Sequence, residues 1–120
     1  MAHVESNVAM RSCIDACRSC HDVCVETLDH CLSIGGDHAE AEHIRSLINC
    51  AQICTTTADF LLRGAAAHGD VCGACADVCE ACAQSCDKMA GAEMKRCADQ
   101  CRRCAESCRE MAKMSSTESA

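Results

Sequence analysis

Apolar residues recur every three or four positions along most of the chain, and cysteine occupies many of these positions. Successive cysteines are separated by 4, 3, 4 and 7 residues near the start, by 3, 4, 3 and 4 in the third quarter, and by 4, 3 and 4 near the end. Steps that alternate between three and four keep side chains on one face of an α-helix, whereas a strand alternates every second residue. The pattern therefore predicts amphipathic helices whose buried face is largely sulfur.

Three glycine-containing breaks, at Gly35, Gly64 and Gly91, separate the cysteine-rich segments, and proline is absent from the chain. Glycine suits the left-handed residue that ends a helix, and Asp37 and Asp70 are positioned to accept hydrogen bonds where the next helix begins. The predicted helices lie near residues 5–34, 38–63, 70–89 and 92–113.

Four amphipathic helices joined by short links predict an all-α fold, an antiparallel four-helix bundle with a cysteine-lined core. At 120 residues the chain has the length of one domain, which we expect to span residues 1–120. The last residues, 115–120, are small and polar, and we expect them to form a flexible, solvated tail.

The composition narrows the classes of function. The net charge of −7 and a single aromatic residue, Phe60, argue against a nucleic-acid partner. No run of 18 apolar residues is present, so we expect no membrane span. The first residues, MAHVESNVAMRSC, lack the features of an export signal. These observations predict a cytoplasmic protein, where thiols stay reduced and disulfides are rare.

Cysteine makes up 16 of the 120 residues, and core packing alone does not explain so many, because leucine or isoleucine buries more apolar surface. The C-x-x-C pairs of a thioredoxin-like redox enzyme would need a βαβ context that a helical pattern does not provide. Thiols four residues apart on a helix can hold one soft ion between them, and thiolates favour Cu(I). Continuous rows thus favour Cu(I), with a capacity on the order of one ion per cysteine. A zinc or mixed-metal thiolate buffer, which needs four ligands per ion, is the alternative, and a thiol redox enzyme is the third hypothesis.

Further soft or polar ligands flank the cysteine rows at the two ends of the predicted bundle. The set at one end, called here the Met10 end, consists of Met10, Asp59, His68 and Met111. The set at the other end, called here the His43 end, consists of His43, Met89 and Met94. Thioethers and imidazoles bind Cu(I) without losing a proton, so both sets are candidate ligands for uptake and transfer; the alternative is that the methionines fill the ends of the core.

Three segments carry a family resemblance: CIDACRSCHDVC at 13–24, CGACADVCEACAQSC at 72–86 and CADQCRRCAESC at 97–108. They resemble the bacterial copper storage proteins, a family of four-helix-bundle copper-binding proteins, and the missing export signal resembles its cytosolic branch. The resemblance implies many Cu(I) ions inside each bundle, assembly into homotetramers, and storage and buffering of copper without enzymatic activity. It also implies that every cysteine is a ligand: Cys13, Cys17, Cys20, Cys24, Cys31, Cys50, Cys54, Cys72, Cys75, Cys79, Cys82, Cys86, Cys97, Cys101, Cys104 and Cys108. His43 departs from the pattern, because it occupies a position in the row that relatives could fill with cysteine.

Overall fold

A computed structural model describes residues 2–119, and the side chains of residues 7–114. It contains four α-helices: α1 (Ala2–Ile34), α2 (Ala41–Arg63), α3 (His68–Asp87) and α4 (Ala92–Ser119). A short 3-10 turn at Gly36–Ala39 joins α1 to α2. No strand occurs within the described residues, so the all-α prediction is confirmed.

Each helix contacts two neighbours in a square arrangement. α1 packs against α2 and α4, and α3 packs against the same two helices, while the diagonal helices α2 and α4 meet only through side chains at the axis, such as Cys54 and Cys104, over the described residues. The bundle measures 50 × 20 × 18 Å. Its long axis matches the 33 residues of α1, because a helix rises about 1.5 Å per residue. Short links between long helices force consecutive helices to run antiparallel, as the four-helix bundle prediction requires.

The starts of α2 and α3 differ from the predicted ones. Asp37 lies in the 3-10 turn, and α2 is capped instead by Glu40, whose carboxylate accepts hydrogen bonds from the main-chain N–H groups of Glu42 (3.1 Å) and His43 (3.2 Å). Because the 3-10 turn occupies Gly36–Ala39, α2 begins later than predicted, and its N-cap is Glu40 instead of Asp37. α3 begins at His68, which places Asp70 inside its first turn rather than at its cap.

The C-terminal ends of α2, α3 and α4 show which of the predicted helix boundaries the structure reproduces. Gly64 adopts a left-handed conformation (φ 65°) after α2, and the N–H of Ala65 donates to the carbonyl of Phe60, the pattern of a glycine-terminated helix. α3 ends at Asp87, two residues earlier than predicted. α4 continues to Ser119, beyond the predicted end near residue 113, and the flexible, solvated tail expected at residues 115–120 stays a prediction. No glycine or proline follows Gly91 to end this helix; Ala120 lies outside the described residues.

The core is built from sulfur and small apolar groups. All sixteen cysteine side chains have zero exposed surface, which confirms the cysteine-lined core. Between the cysteines, buried alanines (Ala76 and Ala83 on α3, Ala98 and Ala105 on α4) present only a methyl group, and Leu47 provides bulk. Over residues 2–119, no helix combines the length and hydrophobicity required to cross a membrane.

Candidate metal centre

The cysteines of the four helices form one continuous row of thiols along the axis of the bundle. All sixteen are free and buried. Typical separations between neighbouring Sγ atoms are 3.6 Å for Cys50 and Cys79, 3.7 Å for Cys54 and Cys79, and 3.7 Å for Cys20 and Cys50. A disulfide bond would bring the sulfurs to about 2.05 Å. The row therefore consists of reduced thiols in van der Waals and hydrogen-bond contact.

Sulfurs from different helices meet because each helix directs its cysteine face at the axis. Cys20 of α1 lies 3.8 Å from Cys101 of α4. Cys54 of α2 lies 3.7 Å from Cys79 of α3 and 3.8 Å from Cys104 of α4. A cation at the axis is therefore within reach of thiols from three helices, and not only of an i,i+4 pair on one helix.

Five groups of four cysteines have all their Sγ atoms within 4.8 Å of one another. The groups are Cys17–Cys75–Cys104–Cys108, Cys20–Cys24–Cys50–Cys101, Cys20–Cys50–Cys54–Cys79, Cys24–Cys82–Cys97–Cys101 and Cys54–Cys75–Cys79–Cys104. They draw on twelve different cysteines, eight of which belong to two groups. Neighbouring sites thus share ligands, and a thiolate in the row can bridge two adjacent ions.

The remaining cysteines lie toward the two ends of the row. Cys13 and Cys72 are near the Met10 end, where the Sγ atom of Cys13 lies 3.6 Å from that of Cys108. Cys31 and Cys86 are near the His43 end, and neither belongs to a four-thiol group. Sulfur ligands are therefore densest in the middle of the bundle.

The thiols form one coupled electrostatic system. Hydrogen bonds to neighbouring thiols, first of all Cys104, raise the pKa of Cys54, and burial raises it further. Hydrogen bonds from neighbouring thiols, again first Cys104, lower the pKa of Cys75. One thiolate is stabilised by S–H groups around it, whereas its neighbours are held protonated, so the protons leave in sequence rather than together.

Within residues 7–114, no buried lysine or arginine is available to balance the charge of thiolates. Among the described residues the buried polar side chains are Thr27, His43, Thr57 and Gln100, and none of them is a lysine or arginine. Several buried thiolates without counterions would be strongly unfavourable. The interior is therefore suited to a state in which bound cations replace the thiol protons.

At the His43 end the structure brings together groups from all four helices. The Sγ atom of Cys31 lies 3.4 Å from His43 Nε2 and 3.9 Å from Met94 Sδ, and His43 Nδ1 lies 2.8 Å from Ser85 Oγ. Burial raises the pKa of Cys31 and lowers the pKa of the His43 imidazole, so the ring is neutral at pH 7 and able to act as a ligand. Met89 stands apart from this cluster; it is half-buried beside Cys86 in a groove between α3 and α4.

The predicted set at the Met10 end is less compact. Met111 is buried, and Met10 and His68 are half-buried. The Nδ1–H of His68 donates to a main-chain carbonyl at 2.8 Å. Asp59 does not join this set: its side chain is exposed and lines a surface depression beside Arg18. Because each residue turns a helix by about 100°, Asp59 points away from the face that carries the cysteines of α2.

Ser85 is a residue of the cluster at the His43 end that the cysteine pattern does not predict. It stands one position before Cys86, outside the cysteine row, and its relevance depends on a contact with His43 of another helix. No local pattern marks such a residue.

A bundle whose axis is a shared row of reduced thiols belongs to the class of proteins that bind several soft metal ions within one fold. Comparison with known proteins identifies the class more closely. The family model described as copper storage protein (Csp) matches residues 6–113. The chain belongs to the copper storage protein family, which confirms the resemblance seen in its cysteine-rich segments.

Solved structures give the same result. The Nmul_A1745 protein of Nitrosospira multiformis is 45% identical, with a TM-score of 0.86 over 90% of this chain and 98% of that one. The Cu(I)-bound copper storage protein BsCsp3 of Bacillus subtilis is 34% identical, with a TM-score of 0.82 over 87% of this chain and 98% of that one. A cytosolic copper storage protein of Streptomyces lividans with five coppers is 36% identical, with a TM-score of 0.82 over 90% and 95% of the two chains. No curated protein sequence matches the chain.

Proposed function

We propose that this protein stores and buffers multiple Cu(I) ions in the cytosol, holding them as thiolate complexes along the axis of the bundle. The observation that carries the proposal is the set of overlapping four-thiol groups, which are buried with no lysine or arginine buried beside them among the described residues. In this proposal Cu(I) is the stored ion, and the row of cysteines is its binding site.

The chemistry follows from charge balance. Each Cu(I) that binds a thiol displaces one proton to solvent, so a row with as many ions as thiolates carries no net charge. Each ion needs at least two sulfurs, and the shared cysteines allow one thiolate to serve two ions. The capacity is then on the order of one ion per cysteine, about 16 per chain, as expected for soft thiolate ligands and a soft ion.

Copper-containing relatives support this assignment. BsCsp3 is a Cu(I)-bound copper storage protein, and the Streptomyces lividans protein has been obtained with five coppers and loaded with 10 copper equivalents. These descriptions concern the relatives; the match in fold and family extends the same cargo to this chain.

A zinc or mixed-metal thiolate buffer is the second candidate, and the spacing of the sulfurs gives it specific support. Tetrahedral zinc with bonds of about 2.3 Å to sulfur requires sulfurs about 3.8 Å apart. The Sγ separations around Cys54 are 3.7, 3.8 and 4.0 Å. Single groups could therefore hold zinc, but one Zn(II) bound by four thiolates leaves two negative charges that no buried lysine or arginine among the described residues balances.

An anaerobic titration of the reduced protein separates the two candidates. With a competing Cu(I) chelator as reference, we expect binding to continue to on the order of 16 ions per chain, whereas Zn(II) should saturate at no more than about four because each ion uses four thiolates. Protein whose thiols have been alkylated while unfolded is the control and should bind neither. Saturation by Cu(I) at four or fewer ions would contradict the storage proposal.

The third hypothesis, a thiol redox enzyme, makes a different prediction. The family is one of storage proteins, and we propose no catalytic activity for this chain. A redox enzyme should show one or two thiols of distinctly low pKa and turnover with a dithiol substrate. We expect thiols that titrate as a coupled set, and no turnover above that of the alkylated control.

For the compartment we propose the cytoplasm. The similar Streptomyces lividans protein is described as cytosolic, and the cytosol keeps thiols in the reduced form that Cu(I) binding requires. Fractionation of cells that produce the native chain should recover it with cytoplasmic markers; recovery outside the cytoplasmic membrane would contradict this part of the proposal.

Homotetramer assembly, implied by the family resemblance, is also proposed. The outer surface of α1 and α2 supports it, because exposed Val25 and Ile48 flank a groove of about 540 Å³ lined by uncharged residues and His21. In a chain of net charge −7, an uncharged surface is where two copies meet with least repulsion. Light scattering should show a tetramer for the native chain and smaller species for Ile48→Glu; a native monomer would refute assembly.

A further inference from the structure

The four helices converge at the His43 end on a cluster that differs in chemistry from the all-cysteine interior. α1 contributes Cys31, α2 contributes His43 and α4 contributes Met94. The Sγ atom of Cys31 is the centre of the cluster, 3.4 Å from His43 Nε2 and 3.9 Å from Met94 Sδ. All three side chains are buried, so solvent does not compete for their donor atoms.

These three donors match a soft monovalent ion and no common hard one. A thiolate, an imidazole nitrogen and a thioether together carry a single negative charge, which one Cu(I) neutralises completely. Thioether and thiolate ligands select soft metals, and a neutral complex avoids the cost of a buried net charge. In the interior, by contrast, one Cu(I) bound by two thiolates that do not bridge to a second ion forms a complex with one uncompensated negative charge.

Ser85 of α3 completes the arrangement without being a ligand. Its Oγ atom lies 2.8 Å from His43 Nδ1. If the Nδ1–H donates to this hydroxyl, the proton stays on Nδ1 and the lone pair of Nε2 faces Cys31. Hydrogen bonds of this kind fix the tautomer and the ring orientation of histidine ligands, and removing them typically lowers metal affinity 10- to 100-fold.

We propose that Cys31, His43 and Met94 form a separate mixed-donor Cu(I) site at this end of the bundle, and that Ser85 is the positioning residue that holds His43 with Nε2 toward the metal. The proposal deepens the storage function and rests on it for the identity of the ion. It distinguishes one neutral, three-donor site from the bridged thiolate sites of the interior.

Nuclear magnetic resonance tests the site directly because Cu(I) is diamagnetic. The reduced protein, labelled with ¹³C at the methionine methyl groups and ¹⁵N in histidine, is titrated with Cu(I) under anaerobic conditions. Ultraviolet absorption of the copper–thiolate bonds follows interior loading in the same samples. We expect the Met94 methyl and His43 Nε2 signals to shift together, while Met114 at the opposite end of α4 stays as an internal reference.

Variants separate ligation from packing. Cys31→Ala should abolish both shifts and reduce the copper content by about one ion per chain, with the interior absorption otherwise retained. Ser85→Ala should lower the Cu(I) affinity that the His43 signal reports by about tenfold, whereas Ser85→Thr, which keeps the hydroxyl, should retain the native affinity. The matched control is Ser46→Ala: the Ser46 hydroxyl bonds the main-chain carbonyl of His43 and not its ring, so this variant should behave like the native chain.

Two outcomes distinguish failure of this site from failure of the storage function. If interior absorption develops fully but the Met94 and His43 signals do not move, the cluster is a packing element, and the mixed-donor site is overturned while storage stands. If neither the absorption nor the shifts appear, both proposals are overturned. Equal effects of Ser85→Ala and Ser46→Ala would refute the positioning role of Ser85, while the mixed-donor site itself would stand.

Discussion

Removing a central thiol should cost more copper than removing a terminal one, because the central thiols are shared between sites. Cys54 and Cys72 make a matched pair, since both side chains have no exposed surface. The Sγ atom of Cys54 lies 3.7–4.0 Å from three other sulfurs and belongs to two four-thiol groups. Cys72 belongs to none of the five groups.

The magnitude follows from the number of ions that each thiolate can touch. If Cys54 bridges two Cu(I) ions, Cys54→Ala leaves two ions one ligand short, and we expect a loss of about two ions from a total of about 16. Cys72→Ala should lose about one. Each variant removes a single buried sulfur, so the metal-free proteins should be destabilised about equally, by about 1 kcal/mol.

Native mass spectrometry of anaerobically loaded protein resolves single copper ions and provides the count. Urea unfolding of the metal-free variants checks that both remain folded to the same extent, so that a difference in copper content reports on ligation. Equal losses from the two variants, or no loss from Cys54→Ala, would refute the idea that neighbouring ions share thiolates.

Three further predictions concern the scaffold. Reduced, metal-free protein should already be helical, because helix caps and small apolar residues assemble the bundle without metal; a coil spectrum by circular dichroism would contradict this. Glu40→Ala should lower the free energy of unfolding by about 1 kcal/mol in urea denaturation, since two N–H groups lose their acceptor, and an unchanged midpoint would exclude the cap. The Arg102 guanidinium lowers the pKa of Asp87, so their ion pair stabilises the fold above pH 4 and the contribution disappears as pH falls through the lowered pKa. Asp87→Asn should therefore be less stable than the native chain at pH 6, with the difference vanishing at acidic pH; a difference that persists there would refute the ion pair as its cause.

The cysteine row could be predicted from sequence because it depends only on the helical period. Steps of three and four fix one face of each helix, whatever its partners, and a face so rich in apolar side chains must be buried. Asp59 is predicted at the Met10 end from its position near the end of α2 and not from the helical period; it lies between two buried residues, Ala58 and Leu61, yet points outward. Proximity in sequence to the end of a helix does not determine which way a side chain faces.

Helix boundaries and contacts between helices were harder to predict, because they depend on turn geometry and packing. The 3-10 turn at Gly36–Ala39 moved the cap of α2 from Asp37 to Glu40, and no local signal specified that turn. The hydrogen bond between Ser85 and His43 joins residues 42 positions apart. Such a contact depends on how α2 and α3 pack against each other. The hydrophobic pattern predicts which face of each helix is buried, but not which side chains of the two helices meet.

Complete enclosure of the sulfurs has a practical consequence for studying motion in this protein. Water-soluble alkylating reagents attack a thiolate only when it reaches solvent, and none of the sixteen side chains does so in the closed bundle. The rate of alkylation in native buffer thus measures how often the helices separate, with every sulfhydryl acting as a built-in reporter of its own position along the bundle. Identifying the alkylated cysteines by peptide mass spectrometry would show which end of the bundle opens to solvent first.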